Sequence, residues 1–315
     1  MKVPSDLPPR RASRRSTRRI GNRGRIALIV VFVLVLALFL SARGFANFYV
    51  DALWYRSVGQ SDLYWSIIRT KLLLALLFST GFAVVLWASL VVADRLAPLV
   101  RTEGPEEQVL ERYREVIGDR QGLVRIATAV IFGLIAGVPT SGRWQEWMLF
   151  RNSTSFGTRD RQFDTDVGFY VFRLPFLSFL VGWLFATIVI ITLLTAVAHY
   201  LNGGIRLQTG GRHVTPQVKL HLSALLAVLA LLKAADYWLQ RYGLTTSRRG
   251  YVEGANYTDV NAQLPALQLL ILISILAAVL FLVNVRQKGF RLPVMAVGLW
   301  SVVAVVAGTI YPTIV

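Results

Sequence analysis

Long uncharged, apolar runs separated by short polar segments make up most of this 315-residue chain. A run of about 20 apolar residues is long enough to cross ~30 Å of hydrocarbon as an α-helix. The uncharged windows predict seven such helices, at 26–42, 72–93, 126–142, 174–198, 220–240, 264–285 and 292–312. The expected fold class is therefore all-α, a polytopic membrane protein with about seven transmembrane helices.

The composition supports a membrane protein and offers little for catalysis. Hydrophobic residues make up 55% and charged residues 16%, and the mean hydropathy is +0.53, which excludes an ordinary water-soluble domain. There is no Cys, so disulfides, Cys-ligated zinc and thiol nucleophiles are excluded. Zinc-peptidase, serine-hydrolase and phosphate-loop motifs are absent as well. We expect no cofactor and no metal, and the chain is not predicted to be an enzyme, although an enzyme acting on a lipid-linked substrate stays open.

The formal charge of +17 is unevenly distributed along the chain. In a soluble protein such an excess would indicate nucleic acid as a partner, but cations also collect on the cytoplasmic flanks of membrane helices. With the N-terminus inside, the inner segments hold twenty Lys and Arg residues and the outer segments hold ten. This bias predicts a bacterial plasma-membrane protein with a cytoplasmic N-terminus, an extracytoplasmic C-terminus and no nucleic-acid partner. The 143–173 segment, with five Arg on the outer side, fits this orientation least well.

The first 25 residues are strongly basic and have no apolar periodicity. We predict a cytoplasmic tail over 1–25, which sets topology and contacts anionic lipids of the inner leaflet, followed by a transmembrane helical domain over 26–315. The arginine pairs of the tail are Arg10, Arg11, Arg14, Arg15, Arg18 and Arg19. A cleavable signal peptide is the alternative, but Arg43 lies between the apolar run and the cut site that would follow it, so an uncleaved first helix is preferred.

Several segments between the predicted helices have a distinct character. Residues 104–120 place apolar side chains on one stripe and predict an amphipathic helix on the cytoplasmic surface or against the bundle. The predicted outer segments 43–62 and 143–173 are crowded with Phe, Tyr and Trp. Because such rings are typical of the headgroup zone, we prefer an aromatic belt to an aromatic ligand cleft. We therefore expect a folded interfacial layer on the outer face.

The fifth apolar run is the weakest because it contains His221, Lys233 and Asp236. Lys233 and Asp236 are three residues apart and share a helix face, so each can neutralise the other in an apolar setting. We predict a structural ion pair, with proton or ion handling and a simple interfacial position as the alternatives. His199 and His221 lie at helix boundaries, where an interfacial position is preferred to a role in proton transfer.

Three aspartates form an acidic group in the second outer segment, namely Asp160, Asp164 and Asp166. Asp164 and Asp166 have the spacing by which some sugar-nucleotide enzymes bind a divalent metal through oxygen ligands. Several arginines lie equally close in the sequence, so internal ion pairs are the preferred interpretation.

Four phrases of the sequence resemble a known family. They are FANFYVDALWYRSVGQSDLYWSIIRTKLLL (45–74), FGTRDRQFDTDVGFYVFRLPF (156–176), HYLNGGIRLQ (199–208) and GYVEGANYTDVNAQLPAL (250–267). In this order they resemble the uncharacterised bacterial membrane-protein family UPF0182, which usually has proline where this chain has Arg161. The resemblance implies a multi-span N-terminal membrane domain followed by a much larger extracytoplasmic region, with no established enzymatic role. This chain is then either a short member or the membrane part of a longer polypeptide.

Two functional hypotheses of different classes follow. The first is an integral membrane anchor and assembly platform of unknown biochemical activity, which supports an extracytoplasmic protein partner or a C-terminal domain. The second is a transporter or channel subunit that moves an ion or a lipidic solute past Lys233 and Asp236. A substitution of Asp236 distinguishes them, because it abolishes flux under the second hypothesis and alters only stability or partner recovery under the first.

Overall fold

The fold is all-helical in the residues that the structure, a computed structural model, describes. These residues are 22–97, 118–205, 214–247, 254–287, 289 and 291–311. The α-helices are α1 Asn22–Ser57, α2 Ser61–Arg95, α3 Gln121–Gly137, α4 Trp144–Arg151, α5 Leu174–Leu201, α6 Pro216–Gly243, α7 Leu264–Val283 and α8 Arg291–Val305. Within the described ranges, β-structure is limited to two isolated bridges. The predicted all-α fold class is confirmed.

Six helical segments among the described residues are long and apolar enough to cross a membrane. They are Ser61–Arg95, Gln121–Arg151, Phe169–Leu201, Pro216–Thr246, Asp259–Arg286 and Arg291–Gly308. These segments coincide with the predicted runs from 72–93 onward, and the run at 26–42 lies within α1. The prediction of about seven such helices is therefore close.

Two predicted features of the cytoplasmic side fall largely outside the described residues. Residues 1–21, which include the arginine pairs from Arg10 to Arg19, are among them, as are residues 98–117 with most of the predicted amphipathic helix. The boundary between a tail over 1–25 and a membrane domain over 26–315 stays a prediction.

The chain divides into two compact units, Met1–Ser66 and Ile67–Val315. In the first unit, α1 continues far beyond the predicted run, so most of the 43–62 segment is helical and not the loop that its polar residues predicted. No proline interrupts this segment, and Gly59, with φ +74°, provides the tight turn between α1 and α2. Across the turn the Tyr64 hydroxyl donates a hydrogen bond to the carbonyl oxygen of Phe48 at 2.9 Å. The rings of Phe48 and Tyr64 also pack, with centroids 5.7 Å apart.

In the second unit, α5 and α7 are each preceded by one wide helical turn, at Phe169–Arg173 and Asp259–Gln263. Each turn leads into a Leu-Pro pair. Proline lacks an N–H and its ring crowds the carbonyl group one turn earlier, and a wide turn relieves that conflict. In the first of them the N–H of Leu174 bonds to the carbonyl oxygen of Phe169, five residues earlier.

One apolar core of the second unit joins α2, α3 and α5. Phe82, Leu86 and Ile191 are fully buried in it. Helix α3 approaches α2 closely, since a Cβ atom at Gly137 would overlap the backbone of Ser79. Further along the same two helices, Arg125 near the start of α3 pairs with Asp94 near the end of α2 at 2.8 Å.

A second core joins α6, α7 and α8 and is built mostly from alanine. Its buried members are Ala227, Ala277, Ala278, Phe281 and Ala296. Small side chains allow helix backbones to approach closely, as is common in membrane helix bundles. They also leave space wherever the helices diverge.

The two ends of the second unit bring together different kinds of residue. At the histidine end, the C-termini of α2 and α5 meet the N-termini of α3 and α6, and His199 contacts His221. At the aromatic end, the 152–168 segment packs on the C-terminal part of α6, where the rings of Phe163 and Tyr242 lie 4.9 Å apart. Polar side chains with candidate functions lie at both ends.

Candidate functional site

Polar side chains from four helices meet at the histidine end, and we call them the polar cluster. Its members are Ser89 and Asp94 of α2, Arg125 of α3, Thr195 and His199 of α5, Asn202 just after α5, and His221 of α6. Polar and ionisable groups inside apolar helix bundles are costly unless they are paired, and they often mark functional sites. The cluster is therefore the first candidate site.

Four members of the polar cluster form a continuous hydrogen-bonded chain. His199 Nε2 lies 3.1 Å from His221 Nδ1, and His221 Nε2 lies 3.3 Å from Ser89 Oγ. Ser89 Oγ in turn lies 2.6 Å from Thr195 Oγ1. Thr195 and His199 are fully buried, so the chain runs inside the unit and not over its surface.

The charged members of the cluster lie beside this chain. Asp94 accepts a hydrogen bond from Arg125 Nη2 at 2.8 Å through Oδ2 and one from Asn202 Nδ2 at 2.7 Å through Oδ1. The side chains of Arg125 and Asp94 are 23% and 32% exposed, so the pair is partly shielded from solvent. Through Asp94, the ends of α2, α3 and α5 are held together.

The chemistry that this arrangement supports is proton transfer. Imidazoles and hydroxyls both donate and accept hydrogen bonds, so each of the four linked side chains can receive a proton from one neighbour and pass one to the next. His199 Nδ1, at one end of the chain, is buried and has no hydrogen-bond partner among the described residues.

His199 and His221 lie at predicted helix boundaries in the sequence, and no sequence pattern indicates that they meet. The only sequence signal for the cluster is the spacing of Thr195 and His199, four residues apart on one face of α5. The contacts to Ser89 join residues 106 and 132 positions apart, and no local pattern predicts them.

The predicted pair of Lys233 and Asp236 lies on α6, away from the polar cluster. Lys233 Nζ donates a hydrogen bond to Asp236 Oδ2 at 2.7 Å, and Gln240 Nε2 donates to the same oxygen at 3.0 Å. The Lys233 ammonium also lies over the ring of Tyr237, 4.7 Å from its centroid. This geometry matches the predicted structural ion pair, and its role stays a prediction.

Two of the three predicted acidic-group residues organise the 152–168 segment, which we call the acidic loop. Asp160 accepts hydrogen bonds from the N–H groups of Gln162, Phe163 and Thr165 and from the Tyr170 hydroxyl. Partial desolvation raises the pKa of Asp160, but these four donors outweigh it and the pKa lies below its ordinary value. Asp160 therefore acts as the centre of a tight turn.

Asp166 has the same role near the other end of the acidic loop. It accepts a hydrogen bond from the Ser155 hydroxyl at 2.5 Å and others from the N–H groups of Phe156, Gly157 and Gly168. The Ser155 hydrogen bond, followed by those of the backbone, lowers the pKa of Asp166 to about 2. Its oxygens are thus occupied by donors from both ends of the loop.

Asp164 differs from the other two because it is exposed. It forms an ion pair with Arg159 at 2.9 Å, with side chains 80% and 65% exposed, and its φ of 51° is in the left-handed region. Arg173, another arginine near the acids in the sequence, donates to Ser153 through Nε. Among the described residues, no group of three or more His, Asp or Glu side chains is arranged to hold a metal ion.

Comparison with known proteins places the chain in a family. The model of an uncharacterised protein family, UPF0182, matches residues 27–315. The chain belongs to the UPF0182 family. It is 43% identical to a UPF0182 protein of Frankia casuarinae over 300 residues, 41% identical to one of a Nocardioides species over 297, and 36% identical to one of Streptomyces coelicolor over 302. No solved structure matches.

The UPF0182 relatives are much longer than this chain. The three alignments cover 94–95% of the chain but only 29–30% of each relative. The chain therefore spans about three tenths of the length of these relatives.

The UPF0182 phrase at 250–267 contains a residue that the sequence analysis did not single out. Asp259 is fully buried and accepts hydrogen bonds from the Ser247 hydroxyl at 2.7 Å and from the N–H of Asn256 at 3.1 Å. It connects the segment after α6 with the turn before α7. The N–H of Asp259 in turn donates a hydrogen bond to Asn256 Oδ1 at 2.7 Å, a reciprocal cap that an Asn-x-x-Asp pattern would have predicted.

Position 161 of the acidic loop is where the family resemblance implied a proline in place of Arg161. The donors to Asp160 are the N–H groups of residues 162, 163 and 165, and the N–H of Arg161 is not among them. A proline at position 161, which lacks an N–H, would therefore remove none of these donors.

Proposed function

We propose that this chain is the membrane domain of a multi-pass protein of the bacterial plasma membrane, where it anchors and supports an extracytoplasmic part or partner. The proposal rests on a comparison between the length of the matched helical region and the full length of the relatives. Six helices of membrane-spanning length and apolarity lie within a region that matches only 29–30% of each relative. Most of each relative's length is then outside the matched helical region, and a membrane domain would hold it at the bilayer.

The acidic loop supports the platform role. Asp160 and Asp166 tie the loop to its own backbone, and the Phe163 ring packs on Tyr242 of α6. A loop held in this way presents a fixed surface, and fixed surfaces bind partners at a lower entropic cost than mobile ones. The twofold excess of cations in the segments predicted inside supports a cytoplasmic N-terminus and an extracytoplasmic C-terminus.

Cysteine labelling tests the orientation, because the chain has no Cys of its own. Single cysteines at Thr158, Gly210, Ser247 and Gly289 should react with an impermeant maleimide from outside, inside, outside and inside, respectively. The Cys-free parent chain is the control for background. If two consecutive positions are labelled from the same side, the segment between them does not cross the membrane once as predicted, and the orientation is contradicted.

Extraction in mild detergent from the native membrane tests the platform itself. Extraction should recover the chain either as part of a longer protein or together with a stoichiometric extracytoplasmic partner. If the partner is a separate protein, Asp160→Ala, which loosens the acidic loop, should reduce its recovery several-fold. Asp164→Asn is the matched control, because Asp164 lies in the same loop but is exposed and its side chain pairs with Arg159. Equal recovery with both variants would contradict a supporting role for the loop.

A second candidate function is proton-coupled transport, and the polar cluster is the observation that favours it. The chain from His199 to Thr195 has the connectivity of a proton path. In proteoliposomes with an imposed pH difference, His221→Gln should abolish the proton flux of the wild-type chain if protons follow the polar cluster. Asp236→Asn should leave the flux unchanged in that case, whereas it should abolish flux along a path past Lys233 and Asp236. A wild-type flux equal to that of protein-free vesicles would remove this candidate.

A further inference from the structure

Two cavities lie one above the other between α5, α6, α7 and α8. The upper cavity, toward the aromatic end, has a volume of about 610 Å³, and the lower one has a volume of about 210 Å³. On α6 the lining passes from Tyr237 in the upper cavity to Lys233 in the lower one. On α7 it passes from Leu270 to Ser274. These steps are one helical turn each, so the cavities are successive levels of the same inter-helical space.

The two cavities differ in polarity. The upper cavity is lined by apolar side chains together with Ser178, Gln240, Ser247 and Gln263. The lower cavity is lined almost entirely by aliphatic and aromatic side chains. Ligand sites between helices of bundles typically occupy 300–1,000 Å³ and combine apolar walls with a few polar groups, and an apolar cavity of about 150 Å³ already holds a benzene-sized molecule. An amphiphile with a polar head and an apolar tail matches this gradient.

Lys233 lies where the two levels meet and is the one charged side chain among the described residues that line either cavity. Its ammonium lies 4.7 Å from the ring centroid of Tyr237, in the upper wall, and 5.6 Å from that of Phe185, in the lower wall. One of its three N–H donors is engaged by Asp236. Lys233 itself lines the lower cavity, one helical turn below Tyr237, so an acidic head group that reaches down from the upper cavity would meet its ammonium there.

The wall of the lower cavity contains a buried polar atom that lacks a partner. Ser274 is 1% exposed, and its hydroxyl makes no hydrogen bond with the described residues. The space beside it exists because the neighbouring wall positions are small, namely Ala230, Ala277 and Ala296. A leucine at Ala230, which is half-buried, would fill part of this space without displacing a fully buried residue.

We infer that the space between α5 and α8 binds one anionic phospholipid, with an acyl chain in the lower cavity and the head group in the upper cavity next to Lys233. This site does not depend on the platform or on proton transport. It rests only on the proposed location of these apolar helices in a bilayer, where phospholipids are the surrounding amphiphiles and an acidic head group is attracted to Lys or Arg. In this site the Lys233 ammonium, which pairs with Asp236, would also bind the phosphate group of the lipid.

Native mass spectrometry of the purified, delipidated chain tests the site, with phosphatidylglycerol and phosphatidylcholine as probes. We expect one phosphatidylglycerol per chain with at least tenfold higher affinity than phosphatidylcholine. Ala230→Leu should weaken phosphatidylglycerol binding at least tenfold, whereas Ala235→Leu, the same change on α6 outside both cavities, should stay within twofold of wild type. Equal affinity for the two lipids, or unchanged binding by Ala230→Leu, would overturn the inference.

A charge variant keeps the test valid if Ala230→Leu folds poorly. The double variant Lys233→Gln with Asp236→Asn removes the ammonium without leaving a lone carboxylate, so the helix carries no unpaired charge. It should bind phosphatidylglycerol and phosphatidylcholine with equal affinity. A retained preference for phosphatidylglycerol would show that Lys233 does not recognise the head group and would contradict the site.

Discussion

The polar cluster and the acidic loop contain similar residue types but are stabilised in opposite ways. In the acidic loop, Asp160 and Asp166 bond to groups within eleven positions along the chain. In the polar cluster, Ser89 bonds to residues 106 and 132 positions away. The loop is thus a local structure that its own segment determines, whereas the cluster exists only when four helices are assembled.

This difference determines what a substitution costs. A backbone N–H that loses an aspartate at the exposed loop can turn to water, so little free energy is lost. A side chain that loses its partner between helices is left unsatisfied, and the desolvation cost of the stranded group is added to the lost hydrogen bond. Substitutions in the polar cluster should therefore cost more free energy of unfolding than substitutions in the acidic loop.

The largest effect is expected for Asp94→Ala. It leaves both the Arg125 guanidinium and the Asn202 amide without their acceptor at the junction of α2, α3 and α5. Breaking a buried ion pair costs about 3–5 kcal/mol, and the partial exposure of this pair reduces the expected loss to about 2 kcal/mol. Thermal unfolding in detergent measures it. The control is Arg159→Ala in the exposed pair of the acidic loop, and an equal loss in both variants would contradict the contrast.

A smaller loss, about 1 kcal/mol, is expected for His221→Leu, because His199 then loses its partner while Ser89 keeps Thr195. The comparison variant is His221→Gln, whose amide retains donor and acceptor groups and should lie closer to wild type in the same unfolding assay. A double-mutant cycle between His199 and His221 should give a coupling free energy of about 1 kcal/mol. Strict additivity would mean that the contact contributes nothing to stability.

Acid should loosen the acidic loop before it affects the helices. The pKa of Asp166 is about 2 when the loop is folded, below its ordinary value of 3.8, so the folded loop favours the carboxylate. Its contribution to loop stability is complete above pH 3.8 and is lost as the pH falls toward 2. The anisotropy of a fluorophore on a cysteine at Thr158 should stay constant above about pH 4 and fall below it. With Asp166→Asn the anisotropy should already be low at neutral pH and should lose this titration.

The smallest effect is expected for Asp164→Gly. This residue is exposed and has a φ of 51°, which glycine adopts without strain, and the lost exposed ion pair is worth less than about 1 kcal/mol. The unfolding temperature should therefore change little. Asp164→Val, with a β-branched side chain in the left-handed region, should be clearly less stable than Asp164→Gly.

The sequence predicted the helices better than their boundaries and better than the site. The apolar runs from 72–93 onward correspond to helices, because an apolar run in a bilayer must satisfy its backbone hydrogen bonds internally. The 43–62 segment was predicted as a loop and is largely helical, since polar and aromatic residues do not by themselves end a helix. For the acidic group, the arginines nearby in the sequence favoured a prediction of ion pairs. In the structure Asp160 and Asp166 accept hydrogen bonds mainly from backbone N–H groups.

The amino-acid sequence alone was enough to predict the apolar helices, their uneven flanking charge and the proximity of Lys233 and Asp236, one turn apart on α6. These depend on interactions within a few residues, and backbone hydrogen bonds in a helix never need a distant partner. Three features became visible only in the folded chain: the contact of His199 with His221, the contact of Ser89 with Thr195, and the two cavities between α5 and α8. Those features depend on the rotation and spacing of whole helices, which side-chain packing sets between segments more than a hundred residues apart.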